Sequence, residues 1–200
     1  MFTGIIETLG KVESVHQHGS NLSFLIKSGI TSELKVDQSI SHNGVCLTIE
    51  EINGDHYKVT AVPETLSKTN LGNWQPGTLV NLERSMLLNG RFDGHIVQGH
   101  TDTTATCQEI KSLNGSHEFR FSLKHPHNGL LIEKGSVSVN GISLTCFSVT
   151  ANAFSVAIIP YTYRHTNISQ LSTSDSVNIE FDVIGKYVAG MAERRSEQNE

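Results

Sequence analysis

The sequence predicts an all-β protein of tandem duplicated Greek-key β-barrels followed by a C-terminal α-helix. Three observations lead there. A long stretch of the chain occurs twice, the strand-like segments are short and bounded by turn residues, and only the last residues carry a helical period.

The duplication is plainest where SISHNGVCLTI at 39–49 returns as SVSVNGISLTC at 136–146. A shift of 97 lays 39–83 on 136–180 without a gap, and 14 of those 45 positions are identical. Chance at average residue usage would leave about three. The identities run the whole length: Ser39/Ser136, Asn43/Asn140, Gly44/Gly141, Leu47/Leu144, Thr48/Thr145, Pro63/Pro160, Thr65/Thr162, Thr69/Thr166, Asn70/Asn167 and Glu83/Glu180. With a slightly different shift, GIIETLGKV from Gly4 falls on GHTDTTATC from Gly99. Two copies are too few to bury the faces of a solenoid, so two sibling domains are expected. Their boundaries are set at 1–88 and 89–185, with a tail at 186–200.

Each copy reads as strands. NLSFLIKS, GVCLTIEEI, HYKVTAV and TLVNLERS alternate or cluster β-favouring residues, and HEFRFSL, GISLTCFSV, AFSVAII and DSVNIEF answer them in the second copy. HNG, NGD, QPG, LNG and VNG mark turns between them. Short antiparallel strands at this spacing close most simply into small barrels, which leave no edge strand open. Pro63 and Pro160 end a strand, and a short helical turn is expected to carry the following Thr-Asn pair. From 183 onward Val183, Tyr187, Val188 and Met191 recur at helical intervals, and the chain beyond about 192 is expected to fray.

Composition narrows the function. The 200 residues are 37% hydrophobic and 18% charged, which describes an ordinary globular chain. No apolar run is long enough to span a bilayer, and MFTGIIETLG lacks the basic start and apolar core of a signal peptide. A net charge of −5 argues against a nucleic-acid surface. Three widely spaced cysteines, with no CxxC pair, suggest reduced thiols in the cytosol.

The chemistry is carried by differences between the copies. Cys46 stands where the second copy has Ser143, and both groups can take part in proton or nucleophile chemistry, although a lone thiol more often serves as a small core hydrophobe. Cys107 and Cys146 are assigned to the core. His100 in VQGHTD matches Ile5 in FTGIIE; a histidine titrates near neutrality and is the usual proton shuttle. His95 and His100 are a weak zinc signal, and no metal is expected. Gly44 and Gly141 suit a turn with positive φ. The Thr48/Thr145 and Thr65/Thr162 hydroxyls either simply suit strands or orient a polar heterocycle near a barrel mouth. No P-loop, GxGxxG or GxSxG is present.

In this order MFTGII, HNGVCLT, PETLSKTNLG, GHIVQGH, NGISLT and IPYTYRHTN closely resemble the riboflavin synthase family of the alpha-chain type, over residues 1 to about 185. The resemblance implies six-stranded barrels, no cofactor and no metal. It implies that two molecules of 6,7-dimethyl-8-ribityllumazine react per active site, one donating a four-carbon unit. The products are riboflavin and 5-amino-6-(D-ribitylamino)uracil. It further implies a cytoplasmic homotrimer, association with lumazine synthase, and an active site between the first barrel of one subunit and the second barrel of its neighbour.

Carried over residue by residue, the resemblance lines a first pocket with Gly4, Ile5, Ile6, Cys46, Leu47, Thr48, Thr60, Ala61, Val62, Pro63, Glu64 and Thr65. A second is lined with Gly99, His100, Thr101, Lys134, Ser143, Leu144, Thr145, Ala157, Ile158, Ile159, Pro160, Tyr161 and Thr162. His100 with Thr145 is expected to remove a proton from the C7 methyl, and Cys46 and Ser143 to support addition at C7 of the other lumazine. Ser39 and Asp182 complete the catalytic set, and Asn140 is left structural. The alternative is a lumazine- or flavin-binding fluorescent protein of the same fold that performs no reaction; such relatives lack the reactive groups retained here. Two identical substrates in unequal roles explain a duplicated pocket that differs where bonds change.

Overall fold

The computed structural model describes residues 1–197, so the end of the tail, 198–200, lies outside the described residues. The first copy supplies β1 (Thr8–His18), β2 (Asn21–Ser28), β3 (Ser39–His42), β4 (Val45–Asn53), β5 (His56–Ala61), α1 (Pro63–Lys68) and β6 (Leu79–Arg84). The second supplies β7 (Thr103–Leu113), β8 (Ser116–Leu123), β9 (Ser136–Val139), β10 (Ile142–Thr150), β11 (Ala153–Ile158), α2 (Pro160–His165) and β12 (Ser176–Phe181), before α3 (Val183–Glu197). Each set closes on itself, β1-β2-β5-β4-β3-β6 and β7-β8-β11-β10-β9-β12, with every pairing antiparallel. The expected duplicated, six-stranded Greek-key barrels are what the chain forms.

The copies also bend in the same places. Register shifts between Val12 and Ser14 and between Ile49 and Glu51 have counterparts between Cys107 and Glu109 and between Phe147 and Thr150. An extra residue on one strand kinks it and increases its twist, which lets so few strands close. Inside, Phe24, Ile26, Ile40, Ile49, Val59 and Leu82 fill the first barrel, and Phe119, Phe121, Phe154, Ile158 and Ile179 the second. Pro63 and Pro160 occupy the first turn of α1 and α2, where a missing N–H costs nothing.

The shared asparagines explain much of the repeat. Asn43-Gly44 and Asn140-Gly141 form two-residue hairpin turns with positive φ throughout, at 47° and 79° and at 46° and 80°. The turns meet back to back: a Cβ on Gly44 would stand 2.8 Å from the Gly141 nitrogen, so neither position accepts a side chain. Around them the amides exchange symmetrically. Asn81 Nδ2 donates to the Asn140 carbonyl and Asn178 Nδ2 to the Asn43 carbonyl, each at 2.9 Å. The backbone N–H of Asn167 donates to Asn81 Oδ1, and that of Asn70 to Asn178 Oδ1, each at 2.7 Å. The Thr-Asn pair after each short helix thus ties that helix to the opposite barrel.

One buried pair breaks the symmetry. His42 Nε2 meets the Tyr57 hydroxyl at 2.9 Å, and its Nδ1 meets the Ile40 carbonyl at 3.1 Å, inside the first barrel. At the equivalent places the second barrel carries Val139 and Phe154. Desolvation lowers the His42 pKa to about 3.

The expected C-terminal helix is present. It runs on through Glu197, past the point where fraying was expected. Ala192, Arg194 and Arg195 favour a helix, and the two arginines complement the C-terminal end of its dipole. Lys186 anchors its first turns through an ion pair with Asp102 at 2.6 Å. Tyr187, Val188 and Met191 remain exposed.

Two outcomes test this account. Asn81→Leu strands the Asn140 carbonyl and the Asn167 N–H, and should lower unfolding free energy by about 2–4 kcal/mol in urea titration. A histidine whose folded pKa is depressed contributes stability above its unfolded value of 6.5, lost as pH falls towards 3. The double variant His42→Val/Tyr57→Phe, which copies the second barrel, should therefore fold and show a shallower loss of melting temperature across that range.

Candidate active site

Most of the expected site residues lie on the outside of the barrels. Along β4, Val45, Leu47 and Ile49 are buried, whereas Cys46 is half-buried and Thr48 exposed. Across β3, Cys46 faces Ser41 and Thr48 faces Ser39; on β10 and β9, Ser143 faces Ser138 and Thr145 faces Ser136. The threonine hydroxyls are therefore not at a mouth leading inward, as the sequence suggested. A six-stranded barrel is too narrow to hold more than its own side chains, so a ligand must sit against the outer wall. Leu47, Ala61 and Ile158 are buried in the cores, which leaves only their backbone for a ligand.

Two strap segments lie against these walls, and they cross. The Ser143 N–H donates to the Gly4 carbonyl at 2.8 Å, and Ile6 packs against the second barrel's core. In mirror fashion the Cys46 N–H donates to the Gly99 carbonyl at 2.8 Å, and Thr101 Oγ1 donates to the Gly44 carbonyl at 3.5 Å. The linings expected from the sequence are thus exchanged: Gly4, Ile5 and Ile6 go with Ser143, and Gly99, His100 and Thr101 with Cys46. The physical reason is an antiparallel bridge between Phe2 and Val97, which carries each strap over to the other half. Within one chain no hydrogen bond joins His100 to Thr145 among the described residues.

Each strap is clamped by a carboxylate of its own barrel. Glu83 accepts from the backbone N–H of Thr3 at 2.6 Å, from the Thr3 hydroxyl at 2.8 Å and from the Gly4 N–H at 2.9 Å. Glu180 accepts from the N–H groups of Gln98, Gly99 and His100 at 2.6, 2.9 and 2.8 Å. Burial pushes both carboxyls above their usual range, and the strap N–H groups pull them part of the way back. His100, its backbone fixed, is exposed and follows directly on Gly99, whose carbonyl holds the Cys46 N–H.

The remaining residues frame the two surfaces. Val62, Pro63 and Glu64 are exposed at the start of α1, as are Ile159, Pro160 and Tyr161 at the start of α2. Thr65 and Thr162 are half-buried, their carbonyls accepting from Thr69 and Thr166 at 2.7 and 2.8 Å. Thr60 bonds Ser23 at 2.8 Å, and Ala157 is exposed. The Tyr161 ring stacks on His165, and the exposed Lys134 Nζ lies 5.6 Å from the centre of the Phe147 ring. Cys107 and Cys146 are in the core, where burial pushes both thiols up.

Ser143 has a neighbour that sequence reasoning treated only as half of a weak metal motif. His95 Nδ1 lies 2.7 Å from Ser143 Oγ. Desolvation lowers the His95 pKa, and the Asp182 carboxylate is close enough to pull it part of the way back. His95 is held by its own N–H, which donates to the Thr3 carbonyl at 3.1 Å. Glu83 and Glu180 were visible as a repeated identity, but their clamp was not. Among the described residues, no three His, Cys, Asp or Glu side chains gather as a metal site would require.

The family model described as "Lumazine binding domain" matches residues 3–85 and again 98–182, which defines the class: a duplicated lumazine-binding barrel. The chain is 39% identical to riboflavin synthase of Bacillus subtilis (strain 168) over 189 residues, covering 94% of this chain and 88% of that protein. It is 38% identical to that of Actinobacillus pleuropneumoniae over the same shares, and 36% identical to that of Schizosaccharomyces pombe, covering 96% and 94%. Among solved structures, LumP complexed with riboflavin superposes with a TM-score of 0.84 at 19% identity, covering 90% of this chain and 99% of that one, a likeness of fold. The chain belongs to the riboflavin synthase family, and it is an enzyme of the transferase class.

Strap placement can be tested directly. A Cβ on Gly99 would stand 2.6 Å from the Cys46 Cβ, at a φ of +82° that side chains resist. Gly99→Ala should displace the strap and cut turnover at least tenfold, with the fluorescence of bound lumazine reporting the weakened first site.

Proposed function

We propose that the protein converts two molecules of 6,7-dimethyl-8-ribityllumazine to riboflavin and 5-amino-6-(D-ribitylamino)uracil, using one outer wall of each barrel. The observation that carries this reading is the pair of crossed straps. They build two surfaces of matching shape, β3/β4 with the start of α1 and β9/β10 with the start of α2, but with unequal reactive groups. One surface has Cys46 and His100, the other Ser143 and His95. Exposed Val62 and Ile159, which occupy equivalent positions, offer apolar area to a flat ring on each. Backbone groups beside them read the pteridine edge, and Thr and Glu side chains hold ribityl hydroxyls.

The outer walls are open, so two rings can be pressed face to face only if a second wall comes from elsewhere. A homotrimer in which the first barrel of one subunit faces the second barrel of its neighbour supplies it. Exposed Val188 on α3, with exposed Tyr187 and Met191, which line a cleft of about 390 Å³ together with Gln98 and Lys186, favours assembly through this helix. Across that boundary His100 of one subunit meets Thr145 of the next and assists loss of the C7-methyl proton. Cys46 and Ser143 support addition at C7 of the other ring, and Ser39 and Asp182 flank the two surfaces. Juxtaposition makes a bimolecular step effectively unimolecular, an advantage of up to about 7–11 kcal/mol. One substrate is oxidised as the other is reduced, so the electron balance closes between them. Among the described residues no helix is long and apolar enough to cross a membrane; the reading places the enzyme in the cytoplasm. Any association with lumazine synthase would use the outer surface of the trimer.

Riboflavin absorbance should rise when the purified protein is given lumazine alone, with one uracil product per riboflavin. His100→Gln should lower kcat by roughly 100-fold while leaving the melting temperature unchanged, because the ring is exposed. Stable lumazine binding without product would instead identify a binder.

A further inference from the structure

The interdomain linker lies on Ser143. A Cβ built at Gly94 would stand 2.1 Å from the Thr3 carbonyl oxygen and 2.8 Å from both Cβ and Oγ of Ser143, so only glycine lets the linker approach this closely. The next residue, His95, brings Nδ1 within 2.7 Å of Ser143 Oγ. Its other ring nitrogen, Nε2, is buried and meets no donor or acceptor among the described residues.

That asymmetry decides the direction of the hydrogen bond. If the proton sat on Nε2, a buried N–H would be left without an acceptor, the rarer and costlier of the two orphan states. With the proton on Nδ1, the orphan is only a lone pair. Burial keeps the ring neutral, although Asp182 pulls in the other direction, so a single proton must be placed. Placed on Nδ1, it is donated to Ser143 Oγ. The Ser143 N–H is already committed to the Gly4 carbonyl.

We infer that His95 is a positioning residue that donates through Nδ1–H to Ser143 Oγ and thereby commits the Ser143 hydroxyl to act as a hydrogen-bond donor towards an acceptor atom on the heterocycle in the second site. This rests on the proposed lumazine chemistry and refines it. Ser143 is held with its proton outward, and no base withdraws that proton to make the oxygen a nucleophile. Among the described residues no side chain holds the Cys46 thiol in this way, and the strap meets Cys46 through Gly99. Serine and cysteine therefore support the addition differently: Ser143 by donating a hydrogen bond to a ring carbonyl or ring nitrogen, Cys46 by remaining free to react.

The test is a double-mutant cycle with Ser143→Ala, together with two replacements of His95. Asn places its amide where Nδ1 stands and can still donate to Ser143; Gln reaches only to where Nε2 stands. Riboflavin formation by the wild type reads the activity itself, and lumazine fluorescence titration reads each site whether or not turnover occurs. The expected result is that His95→Gln weakens second-site binding at least fivefold, His95→Asn restores most of it, and His95→Gln adds nothing in the Ser143→Ala background. Additive effects, or Gln and Asn variants that behave alike at unchanged melting temperature, would overturn the inference. A wild type that binds lumazine without turning it over would sink the proposed activity, yet the cycle would still decide the His95–Ser143 pair. A wild type that binds no lumazine would overturn both.

Discussion

The structure depends on satisfying polar backbone at the seam between two barrels that have no edges left to pair. Closing each sheet uses up the strand-to-strand hydrogen bonds, so the halves cannot join by extending a sheet. Instead two Asn-Gly turns meet back to back, and the amides of Asn81 and Asn178 reach across to the carbonyls of Asn140 and Asn43. A buried amide left without a partner is costly, so each half requires the other at one orientation. This is why the most repetitive phrase of the sequence sits at the seam and not at the reacting surfaces.

With that orientation held, the straps follow. Phe2 is fully buried and bridges Val97, so each strap, though clamped to its own barrel, also lies on the other. Glu83 and Glu180 hold the straps by their backbone N–H groups, which frees the side chains of Ile5 and His100 to differ. The fold is thus conserved between the copies by backbone and amide contacts, while the chemistry diverges through side chains that carry no structural duty. A duplicated binder becomes an enzyme for two unequal partners by this separation of tasks.

The same logic separates what each copy exposes. His42 and Tyr57 form a fully satisfied polar pair inside the first barrel where the second has Val139 and Phe154. Such a pair is invisible from outside and leaves the outer wall unchanged. The differences on which the proposed chemistry rests, Cys46 against Ser143 and His100 against Ile5, are all on the wall or the strap. The interiors vary in packing, the walls in reactivity.

Sequence alone determined the duplication, the strand-rich copies and the helical turns after Pro63 and Pro160, because each is a local pattern. Strands β1 and β3 were less legible. The former is polar and mostly half-buried or exposed, and the latter has only four residues, too few for alternation to register. Only the tertiary structure decided that Cys46, Thr48, Ser143 and Thr145 lie outside the barrel cores and that each strap meets the opposite barrel. It alone brought His95 onto Ser143 across 48 positions of chain. Those features arise from which barrel a segment lands on, and a periodicity along the chain carries no information about contacts made across a closed sheet.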